Sequence, residues 1–326
     1  MNRLLDKTFW GLTIGLIALI ALNFVLEDWM RNIGLQSLSR GIVAIGLLIL
    51  WRTGLVSFGH ALFFGFGAYT VAMLQLAGIN EIIVLTVGGT LTAGLLAYVL
   101  GLLLRQYRAI FFALLNLAFS MILYGVLAKL ESLGSTDGIG IEQTTFLGFA
   151  PHEEAYHITL FVFAAVFAYI AAVAAHWYLR STLGMMTMAV RENEIRVEYL
   201  GYSAERAIHM KYVISGLLAG MGGVIMALTI GHVDPDSMVY WPVSGDFVFI
   251  TILSGTGNVG ATFIGALVYE LLRTYAFEYA PEIWQLILGG SLLLIIMFLP
   301  DGLWSIRDEW RKRRQNRAAD EVQAAE

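Results

Sequence analysis

"FVFITILSGTGNVGATFIGALVY", residues 247–269, decides between two architectures. Read alone, "FVFITIL" is strand-like, and Gly255-Thr-Gly-Asn-Val-Gly260 matches G-x-G-x-x-G, the turn with which a soluble βαβ unit meets a dinucleotide. That reading requires a soluble unit around the turn and an acidic residue placed to meet a ribose. The rest of the chain denies it that setting. Its 326 residues are 58% hydrophobic and 14% charged, where a soluble domain carries about a quarter charged residues. So much apolar surface belongs in a bilayer, and there the glycines serve close backbone packing or a break between helices.

A helix needs about 20 apolar residues to cross a hydrocarbon core of about 30 Å. Uncharged runs of about that length occupy 9–26, 82–104, 109–128, 158–179, 212–231 and 283–299. The first follows Arg3 and Lys7 as a signal peptide would, but it is long and no small-residue cleavage site follows, so it reads as an uncleaved anchor. Lys and Arg collect at the N-terminus, at Arg105 and Arg108, along 180–211, and in the tail with Arg307, Arg311, Lys312, Arg313, Arg314 and Arg317. Such loops stay cytoplasmic, which puts both termini inside. The acid-rich connections 129–157 and 232–246 then lie outside.

Counting crossings shows that 247–269 must leave and return on one face, because a single span there would carry the basic tail to the wrong side. The stretch 34–79 makes a similar excursion, with Arg52 and Gly54 near its inner turn. The two can be aligned: Gly59-His60 falls on Gly257-Asn258, Gly67-Ala68 on Gly265-Ala266, and Leu55 on Leu253. Matches of this kind also arise by chance in a glycine-rich chain. Transporters built from repeats often place their pathway at broken helices near the midplane. The fold class expected is therefore an all-α polytopic membrane protein, with about eight spans plus one or two broken or re-entrant segments. Residues 1–304 form the membrane domain and 305–326 a charged cytoplasmic tail.

Several chemistries are excluded. With no cysteine there is no disulfide, thiolate metal site or thiol nucleophile. No G-x-x-x-x-G-K-[ST] occurs, so this chain cannot cradle ATP phosphates in such a loop. The six uncharged runs hold no Asp, Glu, Lys or Arg, which argues against an ion-driven cycle as the energy source. "PHEEAYH", 151–157, misses the H-E-x-x-H spacing of a zinc site, and a membrane-embedded enzyme would have to rely on His152, Glu153, Glu154 and His157. Within the membrane the main polar side chains include Ser57, His60, Asn116, His176 and Asn258. His60 and Asn258 sit at the expected helix breaks, whereas His176 lies near a span end. The most charged interior stretch, "VRENEIRVEYLGYSAERAIHMK" (190–211), reads as a cytoplasmic helix over 188–200. In it Glu192 stands four residues before Arg196, and Gly201 is placed to end it. It suits either a solvated surface or the docking of a partner.

The stretch 191–223 resembles the cytoplasmic coupling segment of branched-chain amino acid ABC-importer permeases, specifically the M-type membrane subunit. "GLVSFGHALFFGFGAYT" (54–70), "RAIFFALLNLAF" (108–119), "STDGIGI" (135–141), "VDPDS" (233–237), "SGTGNVGATFIGAL" (254–267) and "FLPDGLW" (298–304) are similar to the same family. Asn116 stands where the family usually has Thr, Ser135 and Ser254 where Gly is common, and Ala261 where Pro is frequent. The resemblance implies an importer subunit of a bacterial inner membrane that catalyses nothing, holds no metal and binds no cofactor or nucleic acid. Its partners would be a homologous second permease in a heterodimer, two ATPase subunits carrying ATP-Mg, and a periplasmic binding protein. The segment 188–203 would couple to an ATPase through Arg191, Glu192, Asn193, Glu194, Ile195, Arg196, Glu198, Leu200 and Gly201. Ser57, Gly59, His60, Asn116, Gly257 and Asn258 would flank the translocation pathway. Thr136, Asp137, Gly138, Asp234 and Asp236 would meet the binding protein. The cargo would be branched-chain or related amino acids; the alternatives are urea, short amides or other small carboxylates carried by the same machine, or an ATP-independent facilitator or channel.

Overall fold

The computed structural model describes residues 6–299 and 302–304. The expected tail, 305–326, lies outside them. In chain order the helices are α1 (Lys7–Asn23), α2 (Asp28–Trp51), α3 (His60–Leu76), α4 (Ile82–Leu104), α5 (Ala109–Leu127), α6 (Glu153–Arg180), α7 (Thr182–Glu192), α8 (Glu194–Tyr199), α9 (Ala204–Ile230), α10 (Pro235–Met238), α11 (Trp241–Ser254), α12 (Ala261–Tyr279) and α13 (Trp284–Phe298). The single sheet among the described residues is a pair of two-residue strands, β1 (Ile139–Gly140) and β2 (His232–Val233). Six helices are long and apolar enough to cross a membrane, and α1, α3 and α13 are shorter apolar helices. The chain is an all-α, multi-pass membrane protein.

At the centre stands α9, packed on α2, α3 and α4. In lipid there is no hydrophobic force between helices, because the acyl tails are as apolar as leucine; association rests on close packing and small residues. The sequence of α9 supplies them in "SGLLAGMGG". A methyl group on Gly223 would overlap the Phe64 carbonyl oxygen of α3, so only glycine lets those backbones meet. Gly223→Ala is expected to lower stability by about 1–3 kcal/mol, the cost of overpacking a filled contact. Gly290→Ala, where nothing lies within 4 Å, should leave a thermal melt unchanged.

Both excursions are broken helices. α2 and α3 meet at the turn 52–59, where Gly54 has φ +79, and α11 and α12 meet at 255–260, where Gly255 has φ +76. Arg52 fastens the two turns together by donating to the Thr256 carbonyl at 2.9 Å. The sequence alignment of the excursions does not carry over to their geometry, since α3 starts directly after Gly59 and α12 directly after Gly260, three residues beyond Gly257.

Outside the six uncharged runs, these excursions bring charge into the interior. Arg40 of α2 lies against Glu270 of α12 (2.6 Å) and Asp246 of α11 (3.3 Å), and its guanidinium sits over the Tyr269 ring. Arg40 and Glu270 are buried. The cluster escaped the sequence reading because each charge is alone in an otherwise apolar run, and only the fold brings them together.

Candidate functional site

Three regions hold the residues singled out above: a buried polar cluster and the structures on the two membrane faces. The cluster forms where α3 begins. Ser57, His60 and Ser215 are each fully buried. His60 touches the Ser57 hydroxyl through Nδ1 (2.9 Å) and the Ser215 hydroxyl through Nε2 (2.5 Å). The start of α3 needs acceptors for its free N–H groups, and Ser244 of α11 serves the Ala61 N–H at 2.9 Å. Beside it, Gly59 lies so close to α5 that a Cβ would overlap the Asn116 carbonyl. The Asn116 amide donates to the Phe112 carbonyl at 2.7 Å and accepts from the Tyr212 hydroxyl. Ser57, Gly59, His60 and Asn116 therefore come together as expected. Their partners Tyr212, Ser215 and Ser244 were not singled out, because a hydroxyl one turn along a membrane helix carries no local mark.

Gly257 and Asn258 do not join this cluster. They sit at the other turn, where Asn258 accepts from the Gly260 N–H at 2.9 Å and approaches Thr8 of α1, while Gly257 faces Trp304. The alignment that paired Asn258 with His60 placed it three residues away from the equivalent helix start.

On the face that carries α7 and α8, each connecting helix begins with a capping side chain. Ser181 accepts from the Gly184 N–H, Asn193 from the Arg196 N–H (3.0 Å), and Ser203 from the Arg206 N–H. The expected single helix over 188–200 is divided at Asn193, whose extended backbone (φ −162, ψ 101) ends α7 and caps α8. Glu192 and Arg196 thus belong to separate helices and lose the one-turn spacing expected of them. Glu194 pairs instead with Arg108 at the start of α5 (2.6 Å), and Arg105 with Glu205 of α9 (3.4 Å). Gly201 ends the segment as expected, with φ +85. Val190 and Val197 anchor it in the core, while Ile195, Tyr199 and Leu200 are 63%, 87% and 73% exposed. Arg191, Glu192, Asn193, Arg196 and Glu198 are also exposed. The Arg191 side chain runs along Gly54, where an added Cβ would meet its Cγ at 3.3 Å. The connector therefore rests directly on the turn that leads to Ser57 and His60.

On the opposite face β1 and β2 pair antiparallel, with Ile139 opposite Val233 and Gly140 opposite His232. Gly138 (φ +74) turns the chain into this pair so tightly that a Cβ would overlap the Val233 carbonyl. The pairing gathers Thr136, Asp137, Gly138, Asp234 and Asp236, although about a hundred residues separate the two loops. Thr136, Asp137 and Asp236 are exposed. Asp234 caps α10 by accepting from the Ser237 N–H (2.8 Å), and Asp236 accepts from the Tyr124 hydroxyl (2.8 Å). Nearby, the Gly148 and Leu147 N–H groups hold the Glu81 carboxyl below its ordinary range by hydrogen bonding to its ionised form. Among the described residues no group of three or more His, Cys, Asp or Glu could hold a metal ion.

From residue 30 to residue 297 the chain matches the family described as branched-chain amino acid transport system / permease component. It is 26% identical over 316 residues to the high-affinity branched-chain amino acid transport system permease protein LivM of Escherichia coli (strain K12), covering 88% of this chain and 73% of that one. It is 22% identical over 298 residues to LivH of the same strain, covering 86% of this chain and 95% of that one. With the D-allose transport system permease protein AlsC it shares 23% identity over 235 residues, or 70% and 69% of the two chains. No solved structure matches at comparable significance. The family match runs from the second helix into the last, across the core, the two broken helices, the connector and the paired loops: this chain belongs to the branched-chain amino acid transport permeases and is a membrane subunit of an ABC importer, not an enzyme.

Proposed function

We propose that the chain pairs with a homologous permease, LivH-like where this one is LivM-like, and imports branched-chain or related amino acids handed over by a periplasmic binding protein. The observation that carries this reading is the connector. An apolar, exposed knob (Ile195, Tyr199, Leu200) ringed by charge is anchored by Val190 and Val197, and Arg191 lays it on the 52–59 turn. Exposed aromatic and aliphatic anchors inside a polar rim suit a protein partner, and the partner is an ATPase subunit carrying ATP-Mg. The basic connector face, with both termini, is cytoplasmic.

Closure of the ATPases moves the connector, the 52–59 turn and the start of α3 together. The Ser57, His60 and Asn116 cluster is closed on itself here, and it becomes part of the pathway when α5 separates from Gly59. α5 suits that movement because most of its surface is bare: Ile110, Phe111, Leu114 and Ile122 are all exposed. Gly257 and Asn258, in the turn tied to the first by Arg52, move with it. ATP-dependent uptake of a branched-chain amino acid by vesicles containing the whole importer tests the function, and uptake that continues without the ATPases would favour a facilitator.

The paired loops dock the binding protein. Reversing Asp137 and Asp236 to lysine is expected to weaken stimulation of ATP hydrolysis by loaded binding protein about tenfold at low salt, and less at high salt, because rim charges act chiefly on association. A titration of binding protein at two ionic strengths checks it.

A further inference from the structure

α1 joins the bundle chiefly through α6, with further ties at its two ends, where Asn23 accepts from the Arg31 side chain of α2 and the Asn258 amide reaches Thr8 at 3.5 Å. Asp6 pairs with His176 and Arg180, the Thr13 and Tyr169 hydroxyls meet at 3.0 Å, and Asn23 donates to the Ile158 carbonyl at 3.1 Å, so all three ties run to α6. Between these ends Leu12 reaches Gly260, but much of the side of α1 facing α2 and α12 leaves a cavity of about 450 Å³. Gly11 and Gly15 line it, and an added Cβ would meet nothing within 4 Å at either.

The polarity of this cavity is graded. Lys7, Thr8, Asn258 and Trp304 line one end, on the connector face, and the lining along α1 as far as Leu19 is apolar. The Arg52 guanidinium, bonded to the Thr256 carbonyl, stands by the same turn as Asn258. Among the described residues Lys7 has no carboxylate partner, since its neighbour Asp6 is taken by His176 and Arg180. From Lys7 to Leu19 the helix rises about 18 Å at 1.5 Å per residue, close to the roughly 15 Å depth of one leaflet's hydrocarbon. Close packing is the rule inside folded chains, and a void this large among membrane helices must be filled by something apolar. The bilayer offers an amphiphile of that length and polarity.

We propose that this groove is a binding site for one anionic phospholipid of the cytoplasmic leaflet, with an acyl chain along Gly11 and Gly15 and the phosphate at Lys7, Thr8 and Asn258. The lipid completes the packing of α1 on α2 and α12. It also sits against the 255–260 turn, so its headgroup touches a segment that moves with the connector.

Native mass spectrometry of the assembled importer, released from vesicles of phosphatidylglycerol and phosphatidylcholine, tests this. One phospholipid per copy of this chain is expected to survive delipidation, with phosphatidylglycerol preferred. Gly11→Leu with Gly15→Leu, which fills the groove, should reduce that retention at least about tenfold, and Lys7→Gln should keep the lipid but lose the preference. Unchanged retention in the filled variant overturns the proposal. So does loss of the second permease subunit from that variant with the lipid count unaltered, which would assign the groove to a partner helix. Should the filled variant not fold, phosphatidylglycerol carrying a diazirine on its acyl chain can be photolysed with the unaltered importer. Labelling within 11–19 and 260–267 supports the site, and labelling confined to other helices refutes it.

Discussion

Arg40→Ala is expected to lower the stability of the folded chain by about 3–5 kcal/mol, the range measured when one partner is removed from a buried ion pair. The reason lies in where the charges sit. The Arg40 side chain is 8% exposed and that of Glu270 3%, so neither can be solvated by water once the other is gone. Arg40 and Glu270 meet as a close charge pair without an aligned hydrogen bond, so truncating Arg40 mainly strands the carboxylate in an apolar medium. Asp246, 19% exposed, retains some access to solvent and is less sensitive. Replacing both members by methionine removes the stranded charge, and Arg40→Met with Glu270→Met should recover most of the loss. Detergent-solubilised protein melted with and without each change measures it. A single variant as stable as the parent would show that the cluster does not clamp α11 and α12 to α2.

The second large effect concerns the connector. Ile195→Asp with Leu200→Asp should lower ATPase binding and substrate-stimulated hydrolysis by at least about a hundredfold, since truncating a central interface anchor typically costs 2 kcal/mol or more and charge adds desolvation. Both side chains are largely exposed: Ile195 is 63% exposed and Leu200 73%. The variant should therefore insert and melt like the parent, which separates lost docking from lost folding. Val197→Asp, at a position 4% exposed, serves as the contrast, because it should damage both. Co-purification of the ATPase subunits and hydrolysis in liposomes are the readouts.

Much of this architecture was legible because hydropathy over 20 residues is a local quantity. The run 82–104 coincides with α4, 109–128 runs one residue past the end of α5, and 283–299 exceeds α13 by one residue at each end. The break at 255–260 was legible from its glycines. α2 was harder, since Asp28, Arg31 and Arg40 interrupt its apolar pattern, yet it is the helix most buried in the bundle. The division at Asn193 had a signal that went unused: asparagine is among the best helix caps, and here it caps α8. No local signal could reveal that Arg40 meets Glu270, or that His60 lies between Ser57 and Ser215. Those pairings depend on the crossings of α2, α3, α9 and α12, which periodicity within one helix does not encode. The same holds for Asn258, whose neighbour Thr8 is 250 residues away.

The chain contains no cysteine, so one placed at Tyr199, 87% exposed on the connector, reports without interference. The account predicts that in intact cells this thiol resists a membrane-impermeant reagent added outside, and that in inverted vesicles it is labelled until ATPase subunits are added and shield it. Labelling from outside intact cells, or labelling in inverted vesicles that the ATPase subunits leave unchanged, would contradict it.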